Sequence, residues 1–245
     1  MTNVAVIPAR GGSKSLPRKN LAELQGHPLI AYSIDTALKL NWVDRVIVST
    51  DDMEIRDCAI AYGSEVIIRP SSLAQDLSRD HELLLHILET DAALGDEDDI
   101  IFLRPTHPIR NPETISRAKS DFDQNRHNYS ALRSLKRSQE IVFKTWAVRD
   151  NREAVPAFNK DITTVGDPAN APRQILPQTF YQDGYVEVLP FATVKKFNNT
   201  SGDKFLPFII DEYSHDIDYL SDINQISEFL SGSSLPDWFS FPKKK

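Results

Sequence analysis

Ile7-Pro8-Ala9-Arg10-Gly11-Gly12-Ser13-Lys14-Ser15-Leu16-Pro17-Arg18-Lys19-Asn20 follows an alternating, β-branched run, Val4 to Ile7, that reads as a first strand. It precedes an amphipathic segment, about Pro28 to Leu40, that reads as a helix. A strand thus empties into a glycine-containing loop. Gly11 and Gly12 permit backbone geometries closed to other residues, so successive N–H groups are expected to turn toward an anion. Arg10, Lys14, Arg18 and Lys19 add four cations within ten residues, on a chain of formal net charge −7. The plain alternative is a basic surface turn. The spacing fits neither the P-loop nor the G-x-G-x-x-G fingerprint.

Outward from this loop, strands and helices alternate. Strands are expected at Asp44 to Thr50, Glu65 to Arg69, Asp98 to Leu103 and Tyr129 to Leu135. Helices are expected at Met53 to Tyr62, with Gly63 as the stop, and at about Arg79 to Leu94 and Pro112 to Gln124. That alternation predicts an α/β fold, a mostly parallel sheet with helices on both faces and right-handed crossovers. Ligands of such sheets lie beyond the carboxyl ends of the strands. Arg10, Asp51, Arg69 and Arg104 all sit there, which puts them on one rim.

Between about 137 and 177 the pattern breaks. Val142 to Val148 reads as a strand, but Asn151 to Ala171 is polar and aperiodic, too long for an ordinary connection and therefore a flap or an interface. Order returns with strands at Gly184 to Leu189 and Leu206 to Asp211, a helical turn at Ala192 to Phe197 and a last helix at Ser221 to Leu230. Gly232 to Phe239 is irregular and is assigned to the surface, and Lys243-Lys244-Lys245 to a solvated tail.

With 245 residues, 40% of them hydrophobic, the chain can bury a full core as one domain with an insertion. It has no apolar run of about 18 residues and no leader-like start, so a cytoplasmic protein with no membrane association is expected. The acidic balance argues against nucleic acid as a partner. The single cysteine, Cys58, reads as a buried structural thiol. Six dispersed histidines offer no zinc pattern.

Asp216-Ile217-Asp218 is the second informative stretch. Residues two apart in an extended segment face the same side, so both carboxylates can meet one hard cation such as Mg²⁺, or Mn²⁺, with Ile217 turned inward. The alternative is that they cap the final helix.

The loop Ile7 to Asn20 closely resembles the N-terminal signature of the sialic acid cytidylyltransferases, the CMP-sialate synthetases, and the resemblance extends over about residues 3 to 230. It implies a three-layer, Rossmann-like nucleotidyltransferase fold with a dimerisation arm at about 137–177, and hence a homodimer. It also implies a reaction in which CTP and a nonulosonic acid give the CMP-sugar and pyrophosphate. Nucleotide-binding roles are then implied for Arg10, Gly11, Ser13, Asn20, Arg69, Ser78 and Asp80, and catalytic roles for Lys14, Lys19 and Arg173. Arg173 belongs to Pro172-Arg173-Gln174, which looks like the family's arginine-glutamine motif; on its own it would read as a surface ion pair. Asp216 and Asp218 match the metal-binding pair. On the sugar side stand Arg104, Gln174, Tyr181 and Glu187, and His107 is a further candidate lining residue. Arg104 departs from the family's usual Gln, Tyr181 from a common second Arg, and Glu187 from a common Tyr. Those departures lead to the expectation of a modified, legionaminic-type acid. Rival readings are a synthetase for an eight-carbon acid such as KDO, whose loop carries Ser-Arg instead, and a nucleotide-binding regulator without turnover.

Overall fold

A computed structural model of the chain describes residues 1–158, 163–232 and 235–245. β1 (Asn3–Pro8) enters the basic loop, and a small antiparallel hairpin, β2 (Glu23–Leu24) with β3 (His27–Pro28), leads into α1 (Leu29–Leu38). Then come β4 (Arg45–Thr50), α2 (Met53–Ala61), β5 (Glu65–Ile68), α3 (Asp80–Thr90), β6 (Asp99–Phe102), α4 (Pro112–Asn125) and β7 (Ala131–Arg137). β8 (Trp146–Val148) and β9 (Ala154–Pro156) form a separate hairpin. The chain closes with β10 (Phe180–Pro190), α5 (Phe191–Phe197), β11 (Phe205–Ile209) and α6 (Leu220–Ser231).

Seven strands form one sheet in the order β11-β7-β10-β6-β1-β4-β5. β6, β1, β4 and β5 are parallel neighbours, and β10 lies antiparallel against β6. Alternate residues face opposite layers, as the two-residue period of a strand requires. Ala5, Ile7, Val46, Val48 and Ile101 pack with residues of α1, α2 and α4. Val4, Val6, Ile47, Ile100 and Phe102 pack with Leu83, Leu84 and Ile87 of α3 and with Phe191 and Val194 of α5. Both faces are covered, which is why the central strands read as unbroken apolar runs. The expected three-layer, mostly parallel α/β fold is what forms.

The described residues group into two compact units: Met1–Ser134 with Asp183–Lys245, and Leu135–Gln182. In the second unit the strand expected over Val142 to Val148 is split, with a 3₁₀ turn at Val142–Lys144 and only Trp146–Val148 extended. Residues 159–162 of the arm and 233–234 of the closing run lie outside the described residues.

Several limits shift for local reasons. α3 stops at Thr90 rather than Leu94 because Asp91 leaves the helix, its carboxylate accepting from Ala93 N–H and pairing with Arg45 at 2.7 Å. α2 starts where the Asp52 side chain accepts from Glu54 and Ile55 N–H at 2.9 and 3.0 Å. It is followed by Gly63 at φ +94°, the left-handed stop. β7 is displaced two residues toward Arg137, and β10 begins at Phe180, four residues before the expected start.

The irregular C-terminal stretch is not a plain surface segment. Trp238, Phe239 and Phe241 pack against a cluster of Leu24, Leu29, Tyr32, Ile217, Ile223 and Ile226. The tail beyond it is docked through its backbone, Lys245 N–H donating to Ala61 O at 3.0 Å, although its lysine side chains are exposed. Cys58 is half-buried against the core, and burial raises its thiol pKa. Among the described residues, no helix is long and apolar enough to cross a membrane.

Candidate active site

The loop after β1 is held by its own residues. Asn20, buried, donates its side-chain N–H to Arg10 O at 2.9 Å and closes the loop on itself. Gly11 N–H donates to Asp51 Oδ1 at 3.0 Å, so the anion this amide meets is the chain's own carboxylate at the end of β4. Gly11 is still required: a Cβ there would lie 2.6 Å from Asp52 Oδ2 and 2.9 Å from Asp52 Cβ. Gly11→Ala should therefore displace the loop from β4 and lower the melting temperature in a thermal melt. An unchanged melting temperature would mean that the loop tolerates the shift.

The loop's cations divide into three sets. Arg18, in the left-handed region at φ 58°, pairs with Asp52 at 2.7 Å and Glu54 at 2.6 Å, and so belongs to the cap of α2. Arg10 and Lys14 converge on Asp76, Arg10 at 3.2 Å and Lys14 closer still, and Arg10 also donates to Gln75 O at 2.8 Å. The exposed Asp76 carboxylate holds these two cations together, and its pKa is lowered by the Lys14 hydrogen bond first. Lys19 reaches across the rim to Ile217 O and Asp218 Oδ1, both at 2.9 Å. Ser13 is partly exposed between them.

The opposite wall comes from the segment after β5. Arg69 is 5% exposed, and its Nε has no hydrogen-bond partner. Burial lowers its pKa, while Asp51 and Asp80 oppose that effect. A buried donor left open beside the loop is a group that a ligand atom would satisfy. Ser78, expected to meet the nucleotide, is committed to its own turn, donating to Ser72 O at 3.1 Å and accepting from Gln75 N–H at 2.9 Å. Asp80, at the start of α3, accepts from Arg104 at 2.7 Å.

Arg104 and Glu187, both expected on the sugar side, pair with each other at 2.9 Å. Glu187 is 1% exposed and also lies 2.9 Å from Arg133. Covered by two guanidinium groups, it has no open face for a direct sugar contact; Arg104, over the Phe102 ring at 4.9 Å, is the more accessible of the two, 26% against 14% for Arg133 by side chain. Burial acts to lower the Arg104 pKa, but Glu187 and Asp80 outweigh it and the net shift is upward.

Asp216 and Asp218 flank a fully buried Ile217 and are each about half exposed, 50% and 57% by side chain. They do not cap α6. That role falls to Asp222, whose carboxylate accepts from Asp218 and Tyr219 N–H at 2.8 and 2.7 Å. Burial first, and then Asp218, push the Asp216 carboxyl above the usual carboxylate range, while a Thr106 hydrogen bond pulls the other way. Two carboxylates facing one side, one of them disfavoured in its charged form, fit a divalent cation bound through hard oxygens. Among the described residues no group of three or more His, Cys, Asp or Glu is gathered for a metal. The protein alone would supply two ligands, the usual share when substrate phosphates complete a Mg²⁺ shell.

Arg173, Gln174 and Tyr181 belong to the second unit. There Arg173 donates to Gln139 O at 2.9 Å and lines an open cleft of about 350 Å³ with Ser138, Glu140 and Leu176. Gln174 is exposed, and Tyr181 is 48% exposed. Sequence reasoning missed Asp76, Thr106, Arg110 and Arg133. Thr106 and Arg110 had one legible signal, their place in the run that follows β6.

A family model described as Cytidylyltransferase matches residues 4–162. The chain is 35% identical over 131 residues to the pseudaminic acid cytidylyltransferase of Campylobacter jejuni, covering 53% of this chain and 56% of that protein. It is 42% identical over 123 residues to the CMP-N,N'-diacetyllegionaminic acid synthase of Legionella pneumophila, covering 48% and 52%. The matched region thus spans about half the length of these curated relatives. Among solved structures, a CMP:2-keto-3-deoxy-manno-octonic acid synthetase complexed with CTP has the same fold, with a TM-score of 0.70, 16% identity and coverage of 94% of this chain and 99% of that one.

Proposed function

The chain belongs to the cytidylyltransferase family, and from that membership we propose that it joins CTP to a nonulosonic acid, giving the CMP-sugar and pyrophosphate. The observation that carries this reading is the Lys19 bridge, which puts the basic loop and the Asp216–Asp218 pair on one rim. Triphosphate and cation sites would then be adjacent. In the proposed step the anomeric hydroxyl oxygen bonds to the α-phosphorus, the bond to the β-phosphate oxygen breaks, and the hydroxyl proton leaves to solvent. Positioning and charge neutralisation supply most of the acceleration for such a transfer. Arg10 and Lys14 would exchange Asp76 for phosphate oxygens, Lys19 would face the reacting phosphate, and Arg69 would offer Nε to the nucleotide. Asp216 and Asp218 would hold Mg²⁺ or Mn²⁺. The cation would supply Lewis-acid polarisation of a phosphoryl oxygen. CTP as donor accords with a cytoplasmic setting.

Pyrophosphate release with Mg²⁺, four nucleotides and a panel of sugar acids tests the reading. CTP should be strongly preferred, and equal turnover with UTP would sink it. Among sugars we propose a modified acid of the pseudaminic or legionaminic kind, as the names of the relatives suggest, over N-acetylneuraminic acid and KDO. The charges of Arg104, Arg133, Glu187 and Asp80 cancel, so Arg104 would offer directed donors to a polar substituent rather than a net charge. A higher kcat/KM for N-acetylneuraminic acid would overturn this preference.

We further propose that Leu135–Gln182 is a dimerisation arm. It exposes Trp146, Val148 and Ile175, at 46%, 74% and 57%, apolar surface that a second copy would cover. Ser138 N–H donates to Thr179 O at 2.9 Å at the arm's base, so a short turn can replace residues 140–177. Light scattering should report a dimer for the full chain and a monomer without turnover for the excised one. A fully active monomer would show that one chain completes the site.

A further inference from the structure

Thr106 and its neighbour His107 touch the carboxylate segment. The Thr106 backbone carbonyl accepts from Ile217 N–H at 2.9 Å, its hydroxyl lies 3.5 Å from His107 Nδ1 and favours the charged form of Asp216, and the same His107 nitrogen lies 3.5 Å from Asp216 Oδ1. From the other side Lys19 holds Ile217 O and Asp218. The Asp216–Asp218 segment is thus held, against the repulsion of its carboxylates, by the Thr106–His107 loop on one flank and Lys19 on the other. The Thr106 contact is only as firm as the loop that bears it, and between β6 and α4 the backbone itself offers little beyond Leu103 N–H to Val6 O at 3.0 Å and the His107 N–H to Arg104 O turn at 3.2 Å.

Arg110 supplies the missing anchorage. It is 2% exposed. Its Nε donates to Tyr185 O at 2.6 Å. One terminal nitrogen donates to Ser33 Oγ at 2.9 Å and to His107 O, and the other to Arg104 O at 2.7 Å and, more distantly, to Gly184 O at 3.5 Å. The guanidinium fork therefore ties three segments together: the loop at Arg104 and His107, β10 at Gly184 and Tyr185, and α1 at Ser33. Among the described residues no carboxylate lies within ion-pair distance of it, so the buried cation is held directly by carbonyl and hydroxyl oxygens, with Asp183 and Asp216 acting only at longer range. That arrangement is unfavourable unless the acceptors must be held where they are. Gly184, at φ +78°, shows how closely the loop sits: a Cβ there would come 3.3 Å from His107 and 3.4 Å from Arg104.

We propose that Thr106 and Arg110 are positioning residues for the Asp216–Asp218 cation site, Arg110 fixing the loop and Thr106 fixing the carboxylate. This rests on the reading of that pair as divalent-cation ligands. Outer partners of a metal ligand typically change affinity by about 10–100-fold when removed.

Mn²⁺ binding, followed by the loss of the free-ion electron paramagnetic resonance signal with Mn²⁺ alone and with Mn²⁺ plus CTP, is the test. Thr106→Val should weaken Mn²⁺ binding about tenfold and Thr106→Ser should restore it, because only the hydroxyl is needed. Arg110→Lys keeps the charge but not the fork, and should weaken Mn²⁺ binding at a temperature where a thermal melt shows the variant fully folded. A lowered melting temperature with unchanged Mn²⁺ affinity would make Arg110 merely structural and overturn its role. Unchanged affinity in Thr106→Val, while Asp216→Asn loses binding, would overturn the role of Thr106 and leave the cation site standing. Unchanged affinity in Asp216→Asn would remove the cation site and the proposal with it.

Discussion

Asp216→Asn is expected to cut turnover about 10²-fold, and Asp218→Asn about as much, because under the proposed function each would remove a preorganised charge facing the reacting phosphates. The fold should survive, since both side chains are half exposed and the α6 cap belongs to Asp222. Stability should move the other way in Asp216→Asn. The Asp216 carboxyl pKa is raised in the folded chain, by burial first and Asp218 next, above an unfolded value of about 3.9. A raised folded value means that ionisation at neutral pH opposes folding, whereas below about pH 3.9 both states are protonated and nothing opposes it. With chelator present, Asp216→Asn should therefore melt above the parent at pH 7. The gain should disappear as pH falls through the folded value toward about 3.9. Parent-like turnover in a normally folded variant would refute the catalytic part, and a lower melting temperature at pH 7 the electrostatic part.

Glu187→Ala should be the most destabilising single change in the charged network, at roughly 3–5 kcal/mol, the usual cost of removing one partner from a buried ion pair. Glu187 is 1% exposed in the middle of β10, the strand between β6 and β7, and faces Arg104 and Arg133. Its loss leaves Arg133 with only the Ser201 hydroxyl among its hydrogen-bond partners, while Arg104 keeps Asp80. Asp80→Ala, at the exposed end of the same network, should cost under about 1 kcal/mol. Urea unfolding of the two variants separates them. Equal midpoints would mean that the network is solvated and that apolar packing alone holds β10.

Legibility in the sequence followed the range of the interactions. β1, β4 and β6 announced themselves because both faces are buried, and α2 because Asp52 and Gly63 bracket it locally. The early start of β10 was hidden, since Phe180 to Gln182 are exposed and carry no apolar alternation. Trp238 to Phe241 looked like a loop because an aromatic cluster without a period gives no sign of what it will pack on. That Ile217 would turn inward between two exposed carboxylates is a local property of extended backbone and was readable. Their neighbours were not: Lys19 meets Ile217 across 198 positions, and Arg110 meets Tyr185 across 75. The same distance hid the pairing of Arg10 and Lys14 with Asp76, which made a loop of paired cations read as four free ones.

The late arrival of β10 in the sheet bears on how the chain folds. β1, β4, β5 and β6 all lie within the first 102 residues and can pair among themselves, but the strand that joins them to β7 comes only at Phe180–Pro190, more than 40 residues after β7 ends at Arg137. Contacts of such sequence separation form slowly, so refolding should show the parallel half protected from hydrogen exchange before β7 and β11. Closing a loop entropically depends only weakly on its length, each doubling adding about 0.6 kcal/mol. The segment between β7 and β10 is therefore free to be lengthened or rebuilt over evolution at little thermodynamic penalty to the sheet. That segment can drift while the basic loop after β1 and the carboxylate pair stay where they are.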